Sequence, residues 1–254
     1  MRICNELFSP QVAERMSPVG SVADTDVADA AVAAAEAAGF HIEPMSDKHK
    51  DDVYEMITDS FLRKADLERW LRPGVRGVDY ADVLDSIWTP LLDAGLSFVV
   101  LDASGKPAAV ALSFDAHDEP PVELRPGNLL GIVFDFLEFL EGPVRDQQLP
   151  GGRGSILHSF MMATAASLTP QENVFAMSLM EREVLRIARR DGFHGVLTTN
   201  TSPLTQQLGA DVFGYATLLD YQVNRYVAVD GSRPFEPAPD DQRAYVAWRP
   251  VKAA

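Results

Sequence analysis

Apolar residues recur along this chain with two different periods, and each change of period marks an element boundary. Phe40-His41-Ile42-Glu43-Pro44-Met45 alternates and ends at a polar turn, which predicts a strand. Val53, Met56, Ile57 and Phe61 share one face of 47–64, and Val83, Leu84, Ile87 and Leu91 share one face of 80–94. These spacings predict two helices, parted by the break at Arg72-Pro73-Gly74. The apolar runs 97–102 and 107–114 flank Asp102-Ala103-Ser104-Gly105-Lys106, a hairpin signal. Residues 129–140 are apolar with acidic punctuation and read as a helix by length. Gly151-Gly152-Arg153-Gly154 then leads into a strand over 156–165.

The clearest helix is 169–190. Thr169-Pro170-Gln171-Glu172 supplies a cap, a proline at the first helical position and the acid of a capping box. Met177, Met180, Val184 and Ile187 form its buried stripe, and Asp191-Gly192 ends it. A strand over 195–199, a short helix over 203–208, a long strand over 215–229 and a last strand over 244–248 follow. Residues 1–38, broken by Ser17-Pro18-Val19-Gly20-Ser21 and alanine-rich from Ala30 onward, read as an N-terminal extension or linker remnant. Residues 39–254 form one domain. Its mixed order of strands and helices differs from the regular alternation of a doubly wound sheet.

Composition narrows the functional classes. A hydrophobic share of 46% suits a soluble globular chain, and no apolar run approaches the roughly 18–20 residues that span a bilayer. The first residues lack the apolar core of a signal peptide, and the single cysteine, Cys4, fits a cytoplasmic location while excluding an intramolecular disulfide. Thirty-seven acidic residues against 22 basic ones leave a net charge of −15, which repels phosphate backbones and argues against nucleic acid as a partner. The same charge attracts small protonated amines, or simply keeps the protein soluble. His41, His49, His117, His158 and His194 have no ligand spacing, so no metal site is expected.

The order of elements resembles that of the GNAT (general N-acetyltransferase) acyltransferases: a hairpin after two helices, then a long capped helix after the central strand. The resemblance implies an α/β (α+β) domain, a central mixed and mostly antiparallel sheet flanked by helices. It sharpens in the last hundred residues. Leu157-His158-Ser159-Phe160-Met161-Met162, the run from Leu197 to Leu208 and Leu219-Asp220-Tyr221-Gln222-Val223-Asn224 resemble the C-terminal amine-condensing domain of the Ebony-type β-alanyl-dopamine synthases of insects. That domain is related to the insect arylalkylamine N-acetyltransferases. A looser match runs through Lys64-Ala65-Asp66-Leu67-Glu68-Arg69-Trp70-Leu71.

The resemblance implies a transferase that joins an aminoacyl thioester to a biogenic amine. In that family the donor is carried on phosphopantetheine by a carrier protein, behind an upstream adenylation module. Ordinary family members instead use free acyl-CoA, whose diphosphate sits on an Arg/Gln-x-x-Gly-x-Gly/Ala loop at a helix N-terminus. Here the corresponding stretch, Ala163 to Asn173, has no glycine and no basic residue, loses an N–H at Pro170 and places Glu172 where the phosphates belong. That favours the carrier-borne donor; the alternative is CoA held in a shifted pose by Arg182, Arg186 or Arg189. A non-catalytic module that docks a carrier is the reading from another class.

Attack on a thioester needs a neutral amine and therefore a general base. The resemblance places a glutamate at the end of the first helix in that role, which here means Glu68 or Asp66. Backbone N–H groups at Phe160, Met161 and Met162 are expected to polarise the thioester carbonyl. Thr199, Asn200 and Ser202 follow the next strand, and Ser202 either assists the thiolate or caps the short helix that begins at Pro203. Asp220 and Tyr221 are candidates for the amine pocket. Tyr215 and Tyr221 are also candidates for the acid that protonates the thiolate, although core packing is the expected role of each.

Overall fold

A computed structural model describes residues 32–64 and 67–251. Seven strands form one sheet in the order β1-β2-β3-β4-β5-β7-β6. They are β1 (His41–Pro44), β2 (Phe98–Leu101), β3 (Pro107–Asp115), β4 (Ile156–Thr164), β5 (Gly195–Asn200), β6 (Ala216–Gln222) and β7 (Arg243–Pro250). Every neighbouring pair is antiparallel except β4 and β5. The expected mixed, mostly antiparallel sheet is therefore present.

Helices cover both faces. On one lie α2 (Lys50–Lys64), α3 (Gly77–Ala94) and α4 (Leu130–Gln148), whose apolar stripes join Val110, Leu112 and Met161 in one core. On the other lie α5 (Pro170–Arg190) and α1 (residues 32–37), packed on Val100, Ala109 and Leu157. A last short helix, α6 (Pro203–Gln207), follows β5. Val32 and Ala35 are fully buried against the α5 core, so packing onto the sheet begins inside the stretch read as an extension. Residues 1–31 of that stretch lie outside the described residues.

Local chemistry sets the boundaries. At α3, Asp79 accepts from the Arg76 backbone N–H at 2.8 Å, and Gly95 ends the helix in the left-handed region at φ 64°. At α5, Thr169 caps as its sequence predicts. Its hydroxyl accepts from the Glu172 N–H at 3.3 Å, and Glu172 returns a bond to the Thr169 N–H at 2.9 Å. Gly195 opens β5 where a Cβ would overlap the Trp248 ring and the Arg249 carbonyl, so only glycine allows β7 this close.

Two elements differ from the pattern. Residue periodicity predicts a strand from 215 to 229, yet β6 stops at Gln222 and a 3-10 turn follows over Val223–Arg225. Asn224 donates from its amide to the Ala238 carbonyl at 3.0 Å and to Asp240 at 2.8 Å, which turns the chain and tucks Val223 and Tyr226 beneath α4. Helix α4 runs to Gln148, beyond the apolar stretch that signals it, and buries Phe136 against Tyr226 and Phe235 at ring separations of 5.0 and 5.1 Å.

Candidate active site

The site begins with a failure of strand pairing. β4 and β5 pair only through Ile156–Gly195, Leu157–Val196 and His158–Leu197; beyond that point the two strands part. On the other side of β4 the register to β3 slips, with Met161 opposite Leu112 and Ser159 opposite Ser113. Phe160 is the extra residue of this bulge and has no partner in either neighbouring strand. Phe160 and Met161 consequently both pack toward α2, α3 and α4 instead of alternating. The backbone of the Phe160–Met162 segment thus borders the gap without a ladder partner on the β5 side, as an oxyanion site requires.

A cleft of about 300 Å³ fills the gap. Its walls come from elements on both faces of the sheet: Phe61, Glu68, Val133 and Leu137 on one side, and Asn173, Met177 and Glu181 of α5 on the other. The cleft therefore passes through the sheet. Among the described residues that line it, two are acidic, Glu68 and Glu181, and none is basic.

Glu68 opens the 3-10 turn Glu68–Trp70 after α2 and is buried. Tyr80, reaching from α3, donates its hydroxyl to Glu68 Oε1 at 2.8 Å. Burial, and then the charge of Glu68, raise the Tyr80 pKa far above the ordinary phenol value, so this hydroxyl stays protonated and available to donate to Glu68. The alternative base, Asp66, lies outside the described residues.

Glu181 is the opposite-face counterpart. Asn173, Met177 and Glu181 stand four residues apart on α5 and share the face that meets the cleft. Tyr215, buried behind α5, donates its hydroxyl to Glu181 Oε2 at 3.0 Å. Glu181 keeps some surface open to the cleft, while its carboxyl sits deep enough that burial pushes its pKa up to about 7 against the help of Tyr215. The sequence reading missed Glu181. A carboxylate beside the Met177–Met180–Val184 stripe was its only signal.

Phe160, Met161, Met162, Thr199, Asn200 and Ser202 all line the cleft together with Glu68. Ser202 is the N-cap of α6 but its hydroxyl makes no capping bond, so the capping role is not used. Asp220 and Tyr221 are placed elsewhere. Asp220 accepts from Arg243 at 2.6 Å across the β6–β7 pair, and Tyr221 packs on Phe136 and Phe139 of α4. Tyr215 reaches the site only through Glu181.

Beside the cleft His158 is buried between Glu119 at 2.5 Å and Glu141 at 3.4 Å. Burial alone would lower its pKa, but the two carboxylates override that and hold it well above the ordinary imidazole value. Glu141 in turn is lowered: burial opposes its charge, and His158 outweighs the burial. In this cluster two carboxylates share one buried histidine, which is not an exposed reactive one.

At the α5 N-terminus the capping box occupies the N–H groups of Thr169 and Glu172, Pro170 supplies none, and Glu172 adds a negative charge. A shallow depression against this loop is lined by Asp52, Glu55 and Asp59, with Lys106 its single basic residue among those described. Arg182 and Arg186, the two nearest candidates for a displaced diphosphate, are bonded to Glu36 at 3.2 Å and Glu183 at 2.6 Å.

No protein-family model matches the chain. Over 209 residues, 82% of its length, it is 55% identical to the β-alanyl-bioamine nonribosomal peptide synthetase ebony of Drosophila melanogaster, and it spans 23% of that protein. Its structure matches the C-terminal condensation domain of Ebony in complex with β-alanyl-dopamine with a TM-score of 0.80 and 54% identity, covering 84% of this chain and 99% of that one. Mosquito arylalkylamine N-acetyltransferase-like 5b matches with a TM-score of 0.65 at 14% identity, covering 84% of this chain and all of that one, which speaks for the fold alone. Together the splayed sheet, the bulged central strand and these matches define the class: an amide-forming acyltransferase of the GNAT fold. Within that class, the chain belongs to the family of the C-terminal condensation domain of Ebony.

Proposed function

We propose that this protein condenses an aminoacyl thioester of the β-alanyl type with a biogenic amine such as dopamine or histamine, the thioester arriving on the phosphopantetheine arm of a carrier protein. The observation that carries this reading is the cleft itself, open through the sheet and lined by two carboxyls and no basic side chain among the described residues. Such a site attracts cationic substrates from either face and disfavours polyanions.

In this reading Glu68 takes the proton from the incoming ammonium, with Tyr80 fixing the orientation of the carboxylate. Asp66 remains the alternative base. The neutral nitrogen attacks the thioester carbonyl and a C–N bond forms. The negative charge that builds on the oxygen meets backbone N–H groups of the Phe160–Met162 bulge. Collapse breaks the C–S bond, and the nitrogen sheds its second proton as the thiolate gains one, with Ser202 steadying the sulfur. The products are an amide, a free thiol and one proton in solution. Phe61, Val133 and Leu137, with Phe160 and Met161, form the apolar wall suited to an aromatic amine. Thr199 and Asn200 supply polar contacts on the β5 side.

The carrier-borne donor is supported by the glycine-free loop, its occupied capping box and the acidic depression beside it. A diphosphate placed there meets carboxylates, whereas a carrier keeps its single phosphate at its own surface. Calorimetric titration with acetyl-CoA, and separately amide formation from a β-alanyl-loaded carrier domain with dopamine or histamine read by mass spectrometry, test the reading. Amide from the loaded carrier without measurable CoA binding is the expected result. Tight CoA binding with acetyl transfer replaces the reading with an arylalkylamine N-acetyltransferase. Binding of carrier and amine without product replaces it with a docking module.

A further inference from the structure

Condensation of an aminoacyl donor with an amine brings two ammonium groups into one cleft. One belongs to the acceptor and must lose its proton. The other, at the far end of the acyl group, takes no part in the bond change and enters as the ammonium that an alkylamine is at neutral pH. A cation leaving water for a partly buried site needs a counter-charge. Two carboxyls line the cleft, on opposite faces of the sheet. Glu68 stands with the aromatic wall of the acceptor pocket. Glu181 stands on α5, in line with Asn173 and Met177.

Glu181 has no structural reason to be acidic. Its carboxyl accepts one side-chain hydrogen bond, from Tyr215 Oη at 3.0 Å, and no cation reaches it among the described residues. Burial makes its ionised form costly, which holds its pKa near 7. A glutamine of the same shape would accept the Tyr215 bond without that cost. Nearby α5 acids are treated differently: Glu183 is paired with Arg186 at 2.6 Å, and Glu172 closes the capping box. Buried carboxyls left without a cation at the edge of a cleft are characteristic of ligand sites.

We infer that Glu181 selects the donor: its carboxylate receives the terminal ammonium of the aminoacyl thioester, and Tyr215 holds that carboxylate in position. This assignment rests on the aminoacyl reading above and adds which residue enforces it. An acyl group of the same length without the amine leaves Glu181 unpaired and is accepted less well.

The test compares β-alanyl and propionyl thioesters of phosphopantetheine, free and on a carrier domain, with dopamine as acceptor. The wild-type protein is expected to prefer the β-alanyl donor by at least about 30-fold in kcat/KM, the scale of losing one partner of a buried charge pair. In Glu181→Gln that ratio collapses toward one. Equal loss with both donors in Glu181→Gln overturns the assignment while leaving the aminoacyl reading standing. Equal use of the two donors by the wild-type protein also overturns it, and this arm needs no variant to fold. Wild-type protein that makes amide from neither thioester overturns the aminoacyl reading and the assignment with it.

Discussion

His158 and Glu181 are both ionisable side chains held out of water beside the splayed strands, and the protein treats them in opposite ways. His158 lies between two carboxylates, which share it as their counter-charge. Glu181 has a tyrosine hydroxyl and an open cleft. Glu68 likewise accepts from a buried tyrosine, with Tyr80 in the place of Tyr215. The pairing recurs on both faces of the sheet: a carboxyl turned to the cleft, steadied from behind by a buried tyrosine. The His158 cluster places its charges against one another inside the fold, while the two cleft carboxyls line an open wall.

The contrast breaks most visibly at Glu68. Glu68→Gln is expected to lower kcat by about 100-fold or more, the usual contribution of a general base, with the denaturation midpoint little changed. Turnover within threefold of wild type would move the base to Asp66 or elsewhere. His158→Gln should do the reverse. It leaves the buried Glu141 and the half-buried Glu119 without their cation, at a cost of about 3–5 kcal/mol in urea denaturation, while kcat of the protein that remains folded falls far less. An unchanged urea midpoint would mean that the cluster does not hold β4.

The Glu181 side is sharpened by pH. Its carboxyl ionises near pH 7 in the folded chain and near the ordinary 4.5 when unfolded, so between those values the native state retains the proton and loses stability as pH rises. Tyr215, with Arg249 behind it, are the groups that tune this site. Glu181→Gln abolishes the decline: the variant is expected to be the more stable at pH 8, with the two curves converging toward pH 4.5. Parallel stability curves across that range would show the carboxyl to be hydrated like a surface acid. A smaller effect is expected for Tyr80→Phe, which removes one hydrogen bond from Glu68 and should reduce kcat about 5- to 10-fold, in line with roughly 1 kcal/mol per bond. A full Glu68-sized loss in stopped assays of that variant would make Tyr80 a participant in proton transfer rather than a support. The smallest change belongs to Ser202→Ala. Because its hydroxyl makes no capping bond, thermal stability should shift by less than the ~1 kcal/mol typical of a lost cap.

Much of this was legible in the residues. The capping box at Thr169, the hairpin around Asp102 and the helical stripes of α2 and α3 are short-range patterns, set by neighbours within a few positions. Six of the candidate residues, five within the C-terminal halves of β4 and β5 and one just after β5, fall in the cleft because both strands point their C-terminal ends into the gap. Asp220 and Tyr221 miss it because β7, last in sequence, inserts between β5 and β6 and carries β6 out to the sheet edge. No local pattern announces that insertion. The early end of β6 is equally non-local, since the partners of Asn224 lie at Ala238 and Asp240.

By itself the sequence determined most of the elements and a net acidic charge, which follow from composition and from spacing within one turn or one strand, while the class of fold and the loop hostile to diphosphate were legible through the resemblance to a known family. Only the tertiary structure decided which carboxyls face the cleft. Glu68 with Tyr80 and Glu181 with Tyr215 are joined across 12 and 34 residues, on elements packed against opposite faces of the sheet. Burial is a property of the whole packed domain, and it is burial that turns an ordinary glutamate into one awaiting a cation.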